Sequence, residues 1–270
     1  ENDVIPVLND LEQIERWSNL CREYERPAPA FIHLDTGMSR LGLTPLDVSH
    51  LVDRYSSLLY GFEKAGYMTH PVAADEAGNP ITKEQYDLFM KWYRRLPPAP
   101  RGFCNSSAIF RDKEYHLEFC RPGYALWGGN PTPEAANPMR AVVNLKVKVL
   151  QVREINEPQT VGYGATWQAK RKSRIATIAL GYADGWLRSL SNAGKLLIKG
   201  HEVPYVGRVS MDAITVDITD LPGKPLKAGD MVSLLDDKMT VDDVASAAGT
   251  IGYEILTSLG HRYRRVYTES

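Results

Sequence analysis

The alternation of short apolar runs with amphipathic stretches over the first 126 residues most constrains the fold. Val4–Leu8 is an apolar run, and the stretch from Asp10 to Tyr24 has helical periodicity. Repeated strand and helix signals of this kind predict a parallel sheet with helices outside it. The later signals are Ala30–Leu34, Leu58–His70, Gly102–Asn105 and Phe119–Leu126 for strands, and the helices starting at Thr44 and spanning Thr82–Arg95.

About five strand–helix units are too few to close a barrel of eight strands. The pattern therefore predicts an incomplete (β/α)8 TIM-like barrel, with a doubly wound open sheet as the alternative. Local signals mark where helices begin: Asp10 as an N-cap, Thr44 as a cap followed by Pro45, and Thr82 with Gln85 as a capping box.

The pattern changes at the turn-rich segment Gly128–Pro133, so we expect one domain over residues 1–128 and another over 129–270. From Arg140 apolar and polar residues alternate, which is typical of strands. Val241–Ala248 is the one clear helix candidate in this half, giving an α/β domain followed by a mostly-β domain. The other strand-like runs are Arg174–Leu180, Leu196–Lys199, Ala213–Ile218 and Met231–Leu235.

Composition excludes several classes of protein. The chain is 43% hydrophobic and 24% charged with a formal net charge of −1, which gives no basic excess for binding nucleic acid. No apolar run reaches the length of a membrane helix, and no signal peptide is apparent. Three cysteines without close spacing favour the reducing cytoplasm over a disulfide framework, and neither cysteines nor histidines form a metal-binding pattern.

Eight stretches in order carry a resemblance to a known family. They are HLDTGMSRLGL (33–43), THPVAADE (69–76), CNSSA (104–108), RPGYALWG (121–128), VGYGATW (161–167), GYADGW (181–186), VGRVSMD (206–212) and GYEILT (252–257). Together they cover nearly the whole chain and resemble the motifs of alanine racemases. The resemblance implies a barrel followed by a β domain, pyridoxal 5'-phosphate (PLP) as cofactor, and alanine as substrate. It also implies a homodimer whose active sites are shared between subunits.

Three residues match the family's catalytic positions. The resemblance makes Tyr163 a base that reaches the partner's site and removes the α-proton from one face of alanine, leaving a PLP-stabilised carbanion. A tyrosine ordinarily keeps its proton at neutral pH, so this role requires neighbours that favour the phenolate. His70 would link the tyrosine to Arg121, which would donate to the PLP ring nitrogen. Taken alone, these residues would be a hairpin tyrosine, a structural histidine and a surface arginine.

Arg121 implies a specific chemistry. A guanidinium donates hydrogen bonds and accepts none, so the ring nitrogen it contacts must be unprotonated. A neutral ring withdraws electrons less than a pyridinium, which disfavours transamination.

Further matches imply contacts to the cofactor phosphate and the substrate. Hydroxyls and backbone N–H groups at a helix start suit a phosphate, although Ser106 alone would be an ordinary N-cap and Gly123 an ordinary turn. The resemblance assigns the phosphate to Asn105, Ser106, Gly123, Tyr124 and Tyr253, and the substrate to Arg40, Tyr182, Met211 and Asp212.

The chain departs from the family at two places. His33 stands where many members have a carbamylated lysine that orients the arginine matched by Arg40. The family's Schiff-base lysine, in a segment like VVKANAYGHG, has no counterpart in these residues. Because the chain starts at Glu1-Asn2-Asp3 without methionine, we expect an N-terminal fragment to have been removed. Because the lysine has no counterpart, we expect the chain alone to be inactive.

Two alternatives stay open. One is a relative with broader amino-acid specificity or a barrel decarboxylase, although a decarboxylase does not require the second base that Tyr163 supplies. The other is a non-catalytic, truncated relative that only dimerises or binds a partner. Supply of D-alanine for peptidoglycan and alanine catabolism both fit the sequence.

Overall fold

A computed structural model describes residues 4–53 and 56–268 of the chain. Glu1, Asn2 and Asp3, the residues of the unusual start, lie outside the described residues. The chain divides into two compact units. The first runs to Leu126 and includes Asn130–Pro138, and the second comprises Trp127–Gly129 and the residues from Met139 onward.

The first unit is a parallel sheet of four strands in the order β1-β2-β3-β4, which forms a half-barrel with helices in the connections. The central strands carry the core residues Ile32 and Tyr67, both fully buried. The strands are β1 (Val7–Leu8), β2 (Pro29–His33), β3 (Glu63–Met68) and β4 (Arg101–Gly102), and the helices are α1 (Leu11–Glu23), α2 (Pro45–Asp53), α3 (Ile81–Tyr93) and α4 (Ser106–Ile109).

Two of the predicted helix starts are confirmed. The Asp10 carboxylate accepts from the backbone N–H of Gln13 at 2.7 Å, as an N-cap does. Thr44 and Asp47 bond each other's backbone N–H groups, which makes a reciprocal cap before α2. The predicted capping box at Thr82 is wrong, because α3 begins at Ile81 after Pro80 and turns Thr82 into the protein interior.

The fifth predicted strand, over Phe119–Leu126, is not formed. Phe119 and Arg121 donate backbone hydrogen bonds to Arg101 and Cys104, so the segment starts alongside β4. Pro122 then has no N–H to donate, and a 3-10 turn follows over Tyr124–Trp127. The half-barrel therefore has four strands, with this segment bent over their ends.

The second unit is mostly β, as predicted. An antiparallel sheet in the order β11-β8-β5-β12 is accompanied by the hairpins β6–β7 and β9–β10. The strands are β5 (Leu145–Ile155), β6 (Thr160–Val161), β7 (Trp167–Gln168), β8 (Ser173–Ile178), β9 (Lys195–Ile198), β10 (His201–Pro204), β11 (Ile214–Asp217) and β12 (Met231–Leu235), and the helices are α5 (Val241–Ala248) and α6 (Gly252–Ser258).

Periodicity explains most of this unit. Leu145, Val147 and Val149 alternate with exposed residues along β5 and point into the core. The helix predicted over Val241–Ala248 is confirmed with the same bounds, and α6 is a second helix that the sequence prediction missed.

Two features are absent from the described residues. No helix in this part of the chain is long and apolar enough to cross a membrane. Within the same residues, no group of three or more His, Cys, Asp or Glu side chains is arranged to hold a metal ion.

Candidate active site

The predicted site residues of the first unit follow the carboxyl ends of its strands. In a parallel sheet these ends share one edge, where barrel enzymes place their active sites. His33 is the last residue of β2, and three loops and the bent segment after β4 supply Arg40, His70, Asn105, Ser106, Arg121, Gly123 and Tyr124.

Arg121 is held by three backbone carbonyl groups. Its Nη1 donates to Gly102 at 3.1 Å, and its Nη2 donates to Thr69 and, at 3.4 Å, to Phe103. The three acceptors lie on or beside β3 and β4, so two strands fix the plane of the guanidinium. No described residue accepts a hydrogen bond from its Nε–H.

His70 follows β3 in the same region. Burial, together with the positive charges of Arg121 and Arg40, lowers the pKa of His70 to about 4. The imidazole is therefore neutral at neutral pH and has one donor and one acceptor nitrogen. The positive charge of this site lies on Arg121 and not on His70.

Arg40 lies at the end of a tightly organised turn. The Asp35 Oδ1 accepts backbone N–H bonds from Gly37, Met38 and Ser39 at 2.9–3.1 Å. Because these three donors immediately precede Arg40, the carboxylate fixes the direction in which the chain reaches it. The Arg40 side chain itself is exposed.

His33, at the position of the carbamylated lysine, contacts a different partner. Its Nδ1 lies 2.9 Å from Asn9 Oδ1, and Gly42 packs against its ring. Burial and the charge of Arg121 lower the pKa of His33, so it carries no charge beside Arg40 at neutral pH. The Asp35 turn, rather than a charged side chain at position 33, orders this loop.

Ser106 joins the start of α4 to the Arg121 segment. Its hydroxyl oxygen accepts from the N–H groups of Gly123 and Ala125, at 2.9 and 3.2 Å. The N-cap of α4 is Asn105, whose side chain accepts from Ala108. Ser106 is therefore not the cap, and its hydroxyl proton is not used in these two bonds.

Tyr163 lies in the turn of the β6–β7 hairpin in the second unit and is 71% exposed. Gly162 and Gly164 have φ of 76° and 71°, which only glycine adopts without strain. Gly162 also packs against the backbone of Arg208. The hairpin thus presents the ring outward from a firmly shaped turn.

Tyr182, Met211 and Asp212 lie on two adjoining loops. Tyr182 donates its N–H to Ser210 at 3.0 Å, and Ala183 donates to Met211 at 2.9 Å. Arg262 binds Asp212 at 2.6 Å, which ties the second of these loops to the C-terminal segment. Tyr182 and Met211 nevertheless have exposed side chains.

Tyr253 lies at the start of α6 and is half-exposed. The predicted site residues therefore fall into two sets. The first unit holds eight of them, counting His33, and the second unit holds Tyr163, Tyr182, Met211, Asp212 and Tyr253.

The sequence prediction missed three residues that organise these loops: Gln85, Asp35 and Arg262. Gln85 shares a helix face with the buried Phe89 and Trp92, four and seven positions later. A glutamine on such a face signals a buried amide with specific partners. Arg262 binds Asp212, 50 positions away, so spacing gives no signal for that contact. Asp35 bonds N–H groups two to four positions later, as an aspartate at a turn does, and that local signal could have found it.

Comparison with known proteins identifies the family. The sequence model of the alanine racemase N-terminal domain matches residues 1–131, and that of the C-terminal domain matches residues 142–267. The chain belongs to the alanine racemase family. The members of this family are PLP-dependent isomerases with a barrel-like N-terminal domain and a mostly-β C-terminal domain.

Individual alanine racemases are similar over the whole chain. The enzyme of Rhodospirillum rubrum is 47% identical over 267 residues, which are 99% of this chain and 71% of the relative. A catabolic alanine racemase of Agrobacterium fabrum is 44% identical, over 98% of this chain and 68% of the relative. The crystal structure of alanine racemase from Bartonella henselae with covalently bound pyridoxal phosphate has a TM-score of 0.93 at 38% identity, covering 98% of this chain and 74% of that chain.

Proposed function

We propose that the residues of this chain serve the interconversion of L- and D-alanine, with PLP held by the loops of the first unit, and that the reaction also requires the Schiff-base lysine, which has no counterpart among them. The observation that carries the proposal is the guanidinium of Arg121, fixed by three carbonyl groups with its Nε–H available. Such a donor suits an unprotonated ring nitrogen, and a guanidinium cannot accept a hydrogen bond from a protonated one.

The residues present fit the cofactor. Arg121 offers a donor to the ring, and Ser106 offers a hydroxyl proton while its oxygen is occupied by Gly123 and Ala125. In this proposal Asn105, Ser106, Gly123 and Tyr124 surround the phosphate with hydroxyl and backbone N–H donors. Tyr253 adds a phenol from the second unit of a partner subunit.

PLP supplies, when bound, an electron sink for the carbanion left after the α-proton is removed. Tyr163 takes that proton on one face of the substrate. Arg121 and the neutral His70 hold a positive charge and a hydrogen-bond relay where the phenolate forms, which favours the ionised tyrosine. Arg40 binds the substrate carboxylate with the Met211 N–H, and Tyr182 and Asp212 border it.

The assembly is part of the proposal. Tyr163 is exposed on its hairpin, and we propose that it acts in the site of a second subunit of a homodimer. Three free cysteines fit a reducing compartment such as the cytoplasm.

Replacing Arg121 tests the proposal in the PLP-loaded enzyme. Arg121→Glu substitutes an acceptor for the donor and favours a protonated ring nitrogen. We expect racemisation to slow about 100-fold, PLP to be retained, and alanine to produce a new visible absorbance band with pyruvate from transamination. Arg121→Lys, which keeps the charge, is the matched control and should produce little pyruvate. A Glu variant that keeps PLP without pyruvate or a new band would refute this role.

A further inference from the structure

Gln85 is a buried amide with partners in two active-site loops. It lies on α3 and is 1% exposed. Its Nε2 donates to Thr36 Oγ1 at 3.3 Å and to the His70 carbonyl at 3.1 Å, and its Oε1 accepts from the Val72 N–H at 2.9 Å. Both ends of the amide are therefore used.

The partners of Gln85 connect three functional segments. Thr36 follows β2 in the turn that leads to Arg40, and His70 follows β3. The hydroxyl of Thr36 lies 2.7 Å from that of Thr69, whose carbonyl accepts from Arg121. One continuous set of hydrogen bonds thus joins the Arg40 turn, the His70 loop and Arg121.

An amide is the group that these contacts require. The two Nε2 bonds need two N–H donors and the Val72 bond needs an acceptor, and among uncharged side chains only the amide of asparagine or glutamine supplies all three. An apolar residue would fit the face shared with Phe89 and Trp92, but it would leave the buried groups unpaired. Burying the polar side chain of glutamine costs desolvation free energy, and its three hydrogen bonds offset that cost.

We propose that Gln85 is a positioning residue that fixes the spacing between Arg40, which binds the substrate carboxylate, and the His70–Arg121 pair. This inference rests on the proposed function of those three residues. In this proposal Gln85 contacts neither substrate nor cofactor, and it acts by fixing the positions of the loops after β2 and β3 relative to each other.

The test compares Gln85→Met, Gln85→Glu and Thr82→Val. Methionine removes all three bonds, whereas glutamate keeps the acceptor for Val72 and loses the donors. Thr82 lies one turn earlier on α3, is buried, and has a hydroxyl without a hydrogen-bond partner among the described residues. Thr82→Val therefore controls for a general disturbance of the helix.

In the PLP-loaded enzyme, Gln85→Met should raise KM for alanine and lower kcat, with about a 100-fold loss in kcat/KM from misplaced groups. Gln85→Glu should recover as the pH falls, because a protonated carboxyl regains a donor and burial raises its pKa. Hydrogen exchange of segments 34–40 and 69–76 should quicken together in both variants. Thr82→Val should change none of these.

Three outcomes separate the possibilities. An unchanged KM with fewer active molecules would mean that Gln85 only stabilises the fold, which would overturn the inference. If Gln85→Met does not fold, the pH profile and exchange of Gln85→Glu decide, and a flat profile with slow exchange would overturn it as well. A wild-type enzyme that carries the Schiff-base lysine and has no racemase activity refutes the proposed function instead, whereas exchange of the two segments does not depend on the reaction.

Discussion

Arg121 and Ser106 of the first unit are held from several sides, whereas Tyr163 and Met211 of the second unit lie at exposed turns. Arg121 is bound by three carbonyl groups, and Ser106 is 2% exposed with two N–H donors on its oxygen. Tyr163 and Met211 are instead 71% and 54% exposed. Arg121 and Ser106 are organised within their own unit, whereas Tyr163 and Met211 have shaped backbones and exposed side chains.

This difference corresponds to two tasks, holding a cofactor and supplying a base. A group that must hold a cofactor benefits from rigid support, because misplacement costs rate. A base that enters another subunit's site must be exposed until that subunit covers it. The positive φ angles of Gly162 and Gly164 supply rigidity to the turn without covering the ring.

Tyr163→Phe should produce the largest effect, and it tests the role of the exposed site residues. Removing a positioned base costs about 100- to 10,000-fold in rate, and PLP binding should be unchanged because Tyr163 is not among the residues that we propose hold the cofactor. The rates of both enantiomers, with solvent isotope effects that differ between directions, measure this. Tyr24→Phe, which alters a tyrosine that is 72% exposed in the first unit, is the control. Near-normal rates in both directions would reduce Tyr163 to a turn residue.

Replacing His70 should produce a smaller effect, and it tests the environment of the site residues in the first unit. Its pKa is lowered from 6.5 to about 4, so the unfolded chain binds a proton first as the pH falls. The contribution of His70 to folding stability is therefore fully present above pH 6.5, and it is lost progressively as the pH falls to about 4. Because solvent screens the interactions of the partly exposed His70, we expect the free energy of unfolding to fall by about 1 kcal/mol over this pH range.

Thermal melting across this pH range measures the effect. His70→Asn should give a shallower decline than the wild type, with a remainder from His33, whose pKa is also lowered. His201→Asn, at an exposed position on β10, should keep the wild-type slope. Equal slopes for all three proteins would mean that His70 is not desolvated at this site.

The sequence predicted the elements whose signals are local. The alternation along β5, the Val241–Ala248 helix and the caps at Asp10 and Thr44 follow from period or from residues three positions apart. The short helix α6 has no side-chain cap at Ile251, so it lacked such a signal.

The failures arise where distant contacts decide. Phe119–Leu126 is apolar enough for a strand, but Pro122 and the turn after it end the pairing with β4. Gln85 resembled half of a capping box, whereas its partners Thr36 and Val72 lie 49 and 13 positions away. The catalytic assignments required a family resemblance, because a tyrosine in a hairpin has no chemical signature in spacing alone.

Mixing two inactive variants tests most directly whether the exposed Tyr163 serves the site that Arg121 of another subunit holds. PLP-loaded Tyr163→Phe and Arg121→Glu enzymes would be unfolded, combined in equal amounts, refolded with PLP and assayed with alanine. With shared sites, half of the dimers are mixed and each has one intact site, so about a quarter of wild-type activity should return. If both residues serve the site of their own subunit, every site in the mixture contains one defect. Activity no higher than that of the separate variants would contradict the division of roles between the two units.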